Sequence, residues 1–283
     1  MLSFIDGGMY WPSSRLMYNK HSNGLGAKDT NSNEREKGIV EKLRRSGSLK
    51  IAEDAKFFGV SLSTFHRDLS KLERMGVIKR VRGGALLAET GQIEAFYDFR
   101  MKDNVAEKKE IAKKASRFVE DGSSIFLDHS TTSTFLAEEF LTHNFRNLNI
   151  LTNSIAIASV FGGTKGIQIH LTGGLYNHEF KALWGPWVIK SVKGVNLDQI
   201  FVSVGTISVD RGLMTQNPFI QELIAELLHV DGQVNVLVDH HKFNRVSSFL
   251  IAPLKSSFRI ISDKGLHDTT IIQIKEKGIE LII

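Results

Sequence analysis

The sequence predicts an α/β protein in two parts: a small basic head of helices closed by a hairpin, and a larger domain in which strands and helices alternate. Three observations carry this expectation. Residues 61–84, SLSTFHRDLSKLERMGVIKRVRGG, read as one amphipathic helix, a Gly break at Gly76 and a short basic hairpin. Charge is concentrated in the same region: residues 34–84 hold 13 Lys and Arg against 7 Asp and Glu, while the whole chain holds 36 against 31. From Lys102 onward, short apolar strands are followed by amphipathic segments, the pattern of an α/β domain with a largely parallel sheet.

A localised basic excess is the footprint expected for a polyanion partner. There is no cysteine, which excludes a disulfide framework, a thiolate nucleophile and a Cys-based zinc site, and fits a cytoplasmic compartment. No apolar run approaches the ~20 residues that cross a bilayer, so no membrane partner is expected. Residues 1–33 are rich in Gly, Ser and Asn, lack a helical or strand period and are expected to be a disordered extension.

The head is expected over 34–89, with a helix-turn-helix at about 51–70. Its first helix runs from Glu34 to Arg45 with Ile39, Val40 and Leu43 inward, and Ser46-Gly47 stops it. Ser48 is the expected cap of a second helix that buries Ile51, Ala52, Ala55 and Phe58. Ser61 is the expected cap of the third. There Leu62, Phe65, Leu69 and Leu72 recur at three- and four-residue spacing, so they share one face. The opposite face shows hydroxyls and cations, as a helix lying in a DNA major groove requires. Ser63, Thr64, His66 and Arg67 are placed to reach base edges. Arg67 is either a bidentate guanine contact or part of a phosphate or intramolecular ion pair. Asp68 would repel phosphate and is read as holding a nearby Arg or Lys. Lys79, Arg80 and Arg82 on the hairpin are expected on phosphates. Gly83-Gly84 is read as its tight turn, where positive φ is needed. Helix followed by basic wing is the order of a winged helix-turn-helix.

Residues 90–101 are expected to link the head to an α/β domain over 102–283. Its strands are read at Ser124–Leu127, Leu148–Leu151, Ile167–Leu171, Gln199–Val204, Val234–Val238 and Arg259–Ser262. Polar residues repeatedly follow the carboxyl ends of these strands, where an open parallel sheet binds ligands. Thr131, Thr132, Thr152 and Ser154 stand just before helices, whose first amides favour an anion. Gly173 and Gly174 let backbone amides approach closely, and Lys242 adds a positive charge. Asp128 and Asp239 suit sugar hydroxyls or hold the donors in place. Together these residues suit a phosphate.

The head resembles the DNA-binding domain of the DeoR family of bacterial transcriptional regulators. The resemblance rests on Val60-Ser61, Arg67-Asp68-Leu69, Leu72-Glu73, Gly76 and Arg80-Val81-Arg82-Gly83-Gly84-Ala85. Phe65-His66 depart from the family pattern on the reading face. The larger half is similar to the family's sensor domain, which shares its fold with ribose-5-phosphate isomerase. The resemblance implies that a phosphorylated sugar binds the cleft and weakens binding to operator DNA.

Carried onto this chain, the implied phosphate loop is Asp128-His129-Ser130-Thr131-Thr132. Thr152-Asn153-Ser154, Gly173-Gly174 and the Gly205 that ends a strand join it, as do Asp239, Lys242 and Phe243. His129 is atypical of the family, small residues normally stand where His240 and His241 do, and the bulk of all three is expected to narrow the cleft.

The expected function is a DNA-binding transcriptional regulator, a repressor of carbohydrate-metabolism genes released by a phosphorylated sugar. It is expected to act as a homo-oligomer, dimer or tetramer, with no catalytic residues, no metal and no cofactor. The alternatives are a sugar-phosphate isomerase-like enzyme, and a constitutive DNA-binding protein with a degenerate pocket.

Overall fold

The computed structural model describes residues 26–74, 77–87 and 97–283. Gly76, the first 25 residues and most of the expected linker lie outside the described residues.

The head begins with α1 (Gly26–Ser46), so residues 26–33 of the expected disordered extension are helical. Then follow β1 (Ser48–Lys50), α2 (Ile51–Phe57), α3 (Leu62–Arg74), β2 (Ile78–Val81) and β3 (Gly84–Leu87). Ile39, Val40, Leu43, Phe65, Leu69 and Leu72 meet in one core, as the spacing predicts. Leu62 does not join them: at the first position of α3 it is half exposed. Ala52 is likewise exposed, because α2 turns only Asp54 and Ala55 fully inward.

Ser48 does not cap α2. It is taken into β1, opposite Leu86 of β3, and Asp54 instead reaches back to accept the Lys50 N–H at 2.7 Å. Ser61 does serve α3, its hydroxyl accepting the Thr64 N–H at 3.2 Å. Asp68 is bound bidentately by Arg35 of α1, at 2.6 and 3.1 Å. This fixes the angle of α3 on α1 and raises the Arg35 pKa through the bond to Asp68.

The wing turns at Arg82-Gly83 rather than Gly83-Gly84. Only Gly83 has positive φ, at 79°. Gly84 lies in β3 and matters for a different reason, since a Cβ there would sit 1.9 Å from the Leu49 carbonyl oxygen. The small sheet β1-β3-β2 closes only because β3 presents no side chain at that point.

Beyond the head, part of the expected linker is the helix α4 (Tyr97–Lys102), which sends Phe99 into the head core. The larger domain continues with α5 (Val105–Ala115), β4 (Ser124–Leu127), α6 (Thr131–Phe140), β5 (Leu148–Thr152), α7 (Ile155–Val160) and β6 (Ile167–Leu171). Next come β7 (Leu175–Asn177), β8 (Ala182–Trp184), α8 (Pro186–Lys193), β9 (Gln199–Val202), β10 (Thr206–Ser208) and β11 (Gly212–Thr215). The chain ends with α9 (Pro218–Leu227), β12 (Gln233–Leu237), β13 (Phe249–Ala252), β14 (Arg259–Ile261), α10 (Asp268–Glu276) and β15 (Glu280–Ile282).

Seven strands form a parallel sheet in the order β15-β14-β12-β9-β4-β5-β6. Successive side chains of each strand enter opposite cores, since a strand alternates its faces. Ile125 and Leu127 pack with α5 and α6, while Phe126 packs with α8 and α9. Both faces are therefore covered, as a parallel sheet requires. β9 stops at Val202, two residues short of expectation, because the Ser203 N–H turns to the Asp128 carboxylate at 2.8 Å.

Candidate functional site

Two regions bring the predicted residues together. The first is the outward face of α3 with the wing. Ser61, Ser63, His66, Arg67 and Lys79 are exposed, and so is Arg82 at the turn; Thr64 and Arg80 are partly exposed. The Ser61, Ser63 and Thr64 hydroxyls lie 2.9 Å apart in pairs and hold one another at the start of the helix. Asp68 is occupied by Arg35, and among the described residues Arg67 makes no ion pair, which leaves its guanidinium free to reach outward. Arg80 does not point away from the body. One of its nitrogens lies 2.7 Å from His66 Nδ1 and another donates to the Ser70 hydroxyl at 3.4 Å. The wing arginine is thus folded onto the outward face of α3, and His66 and Arg80 form one unit.

The second region is a cavity of about 160 Å³ at the carboxyl edge of the parallel sheet. It gathers Ser130, Thr131, Gly205, Asp239 and Lys242 from the predicted set. Ser130 caps α6, its hydroxyl accepting the Ser133 N–H at 3.0 Å, so the helix opens toward the cavity. Lys242 Nζ donates to the Ser203 hydroxyl at 3.2 Å and the Val204 carbonyl at 3.0 Å, and lies 4.0 Å from Asp239. Asp239 is buried. Its Oδ1 accepts from Asn104 at 3.4 Å, and its Oδ2 takes no hydrogen bond among the described residues.

Sequence reasoning missed half of the lining: Phe99, Arg100, Asp103 and Asn104 from α4 and the turn after it, Lys108 from α5, and Arg245 at the rim. The signal for Lys108 was present. It stands in register with Ile111, Ala112 and Ala115 on the buried face of its helix, where a lysine is costly unless its charge is used. Lys108 is 4% exposed and donates to the Arg100 and Asp103 carbonyls. Burial, reinforced by the neighbouring charge of Lys242, lowers its pKa to about 7. Arg100, Arg245 and Lys242, with Lys108 ready to take up its proton, thus face two acids around a small space at a helix N-terminus, an environment that favours an anion with several oxygens.

The remaining predicted residues stand outside this lining. Asp128 is a staple: it accepts from the Ser130 N–H at 3.1 Å, the Ser133 hydroxyl at 2.5 Å and the Ser203 N–H at 2.8 Å. Thr152 donates to the Leu127 carbonyl at 2.8 Å, and Ser154 caps α7. Asn153 donates to the Leu183 carbonyl at 3.1 Å, and Thr132 is buried in α6. Gly173 lies against Trp187, and Gly174, at φ 142°, lets the chain pass the Trp184 backbone.

His129 does not narrow the cavity either. It packs edge-on against Trp184 and Phe180, with ring centroids 4.8 and 5.6 Å away, and burial holds its pKa down at about 4. His240 turns aside to Asp263 at 2.6 Å, so of the three histidines only His241 lines the space.

Two family models match the chain in the order of these regions. The DeoR-like helix-turn-helix domain matches residues 35–91, and the DeoR C terminal sensor domain matches residues 103–264. Among curated relatives, a putative aga operon transcriptional repressor of Escherichia coli O157:H7 is 28% identical over 90% of this chain and 94% of its own length. An L-fucose operon activator of Haemophilus influenzae is 26% identical over 83% of this chain and 94% of its own. Among solved structures, a D-ribose-5-phosphate isomerase in complex with phospho-erythronic acid shows 18% identity and a TM-score of 0.36, covering 48% of this chain and 52% of that one. So shallow an overlap carries no argument about this protein. Among the described residues, no helix is long and apolar enough to cross a membrane.

Proposed function

We propose, for a chain that belongs to the DeoR family of DNA-binding transcriptional regulators, that it represses carbohydrate-metabolism genes and releases its operator when a phosphorylated sugar fills the cavity. The observation that carries this reading is the convergence of Lys242, Lys108, Arg100 and Arg245 on the opening of α6. On this reading Ser63, Thr64, His66 and Arg67 meet base edges, while Lys79, Arg80 and Arg82 hold phosphates. Ser130, Thr131, Gly205 and Lys242 receive the phosphate, and Asp239, which also lines the cavity, receives a sugar hydroxyl.

The connection between the two regions is α4. Its Phe99 is seated in the head core, while Arg100 lines the cavity. Its Tyr97 donates to the Thr134 hydroxyl of α6 at 2.9 Å, and Lys181 holds Asp98 at 2.6 Å. An anion that draws Arg100 and Lys108 inward therefore pulls on the segment that carries the head. Release requires that the anion bind this altered arrangement better than the operator-bound one, because equal affinity shifts nothing.

An enzymatic reading has one observation in its favour, the buried Asp239 carboxylate, whose Oδ2 faces Lys242 at 4.0 Å and takes no hydrogen bond among the described residues, which is the kind of group a general base would be. The same experiment separates the two. Operator binding by the full chain is titrated against a panel of phosphorylated sugars, and each sugar is followed for turnover. A sugar that releases DNA unchanged supports the proposal, and turnover without release refutes it. Thr131→Ala combined with Lys242→Ala should abolish release while leaving DNA affinity in place.

A further inference from the structure

We propose that Arg80 of the wing fixes the His66 ring of α3 with its Nε2–H outward, as a donor to one base acceptor of the operator. This rests on the proposed placing of His66 at a base edge, and adds the ring atom that reads, the base pair it selects and the side chain that decides both.

The wing sends Arg80 to α3 because β2 alternates its faces. Ile78 is buried in the head core, so Arg80, two residues on, faces the same way, opposite the buried Ala85 of β3. Lys79 and Val81 are exposed on the other face. On α3, His66, Ser70 and Glu73 follow at four- and three-residue spacing and form one stripe. Arg80 lies along it. Its backbone N–H donates to Glu73 Oε1 at 3.2 Å, one guanidinium nitrogen donates to the Ser70 hydroxyl at 3.4 Å, and another reaches His66 Nδ1 at 2.7 Å.

That contact leaves the imidazole one arrangement. A guanidinium is always charged and has donors only, so Nδ1 is the acceptor. The ring then carries its single proton on Nε2. His66 is exposed, and among the described residues Nε2 meets no partner. A histidine held this way is a fixed donor. In the major groove guanine meets it with two acceptors, O6 and N7, whereas cytosine turns an amino donor toward it. An unheld imidazole moves its proton between the two nitrogens and could offer that amino group a bare acceptor. Fixing the tautomer is what turns His66 from an indifferent contact into a discriminating one. Two guanidinium N–H groups are spent on Ser70 and His66, and the others remain for a phosphate. One side chain thus ties the backbone contact of the wing to the base contact of α3.

Ring-nitrogen NMR and DNA selection, both on the full chain, test the two halves separately. With isotope-labelled histidine at mildly alkaline pH, His66 is assigned by its loss in His66→Ala. Its Nδ1 should resonate as an unprotonated hydrogen-bond acceptor and move toward the free-imidazole position in Arg80→Ala. A protonated Nδ1, or a resonance indifferent to Arg80, would overturn the proposal without touching DNA binding. The DNA probe is a library of duplexes of random sequence. Wild type should select a G·C pair at one position, and His66→Ala and Arg80→Ala should each relax that preference by about 3- to 10-fold, as loss of one hydrogen bond does. The double variant should lose no more there than either single one, because Arg80 acts through His66. Both variants should melt close to wild type, since neither side chain is buried. A preference that His66→Ala relaxes and Arg80→Ala keeps, or an A·T pair selected in its place, would overturn the proposal alone. Selection unchanged by His66→Ala would overturn it together with the placing of His66 at a base edge.

Discussion

Replacing Asp128 by Asn tests whether this carboxylate reads a ligand or holds the site together. The side chain is 1% exposed and accepts three hydrogen bonds, two on Oδ1 from Ser130 and Ser133 and one on Oδ2 from the Ser203 N–H. Asparagine keeps one acceptor oxygen and turns an NH₂ toward the other side. Whichever way the amide lies, a buried N–H or O–H then faces another donor. The lost bond to a charged acceptor is worth ~1.5–3 kcal/mol, and the stranded donor costs ~1–3 kcal/mol more. Asp128→Asn should therefore destabilise the larger domain by about 3–5 kcal/mol, read as a lowered urea midpoint. It should also weaken the effector response, because Ser203 carries Lys242. A variant that loses the response while staying within about 1 kcal/mol of wild type would refute the staple and return Asp128 to the ligand.

Acid should weaken the fold through His129. Its folded pKa near 4 lies below the ordinary value near 6.5, so the unfolded chain binds a proton that the folded chain refuses, and stability falls as pH drops through that window. His129→Phe keeps an aromatic ring against Trp184 and Phe180 and should shrink the loss in urea midpoint between pH 7 and pH 5; an unchanged loss contradicts the assignment. Gly84→Ala should destabilise the head by ~1–3 kcal/mol, because its Cβ meets the Leu49 carbonyl and must part β1 from β3. A wild-type melting profile for the head would show that the strands give way freely. Arg67→Ala should relax discrimination among operator sequences by ~1–3 kcal/mol, while Lys79→Ala should weaken all DNA alike and flatten the salt dependence. Equal effects of the two on cognate and random duplexes would remove Arg67 from the base edges.

Much of this protein was legible from residue order alone. The period of Phe65, Leu69 and Leu72 dictated α3, because three- and four-residue spacing has only one helical face to occupy. The strands β4, β5 and β6 were read nearly to the residue: β4 is a short apolar run between polar loops, and β6 alternates apolar and polar residues as a half-covered edge strand does. The hydroxyls and lysine that follow those strands were legible as candidate anion ligands, and Ser130, Thr131 and Lys242 among them line the cavity. The short strands β7, β8, β10, β11 and β13 were not legible: three or four residues carry no period, and β13 finds its partner β11 about 35 residues back in the chain.

Tertiary structure alone decided which polar residues face the cavity. Thr131, Thr152 and Ser154 look alike in sequence, each a hydroxyl before a helix. Yet Thr131 lines the cavity, while Thr152 and Ser154 are used up on the Leu127 carbonyl and the cap of α7. Phe99, Arg100 and Lys108 acquire their meaning only when α4 and α5 are folded against the sheet edge. Order along a chain sets what each segment becomes, because helix and strand are local periods. Which atoms remain unpaired at the end depends on groups brought together from distant positions, and that is settled by packing.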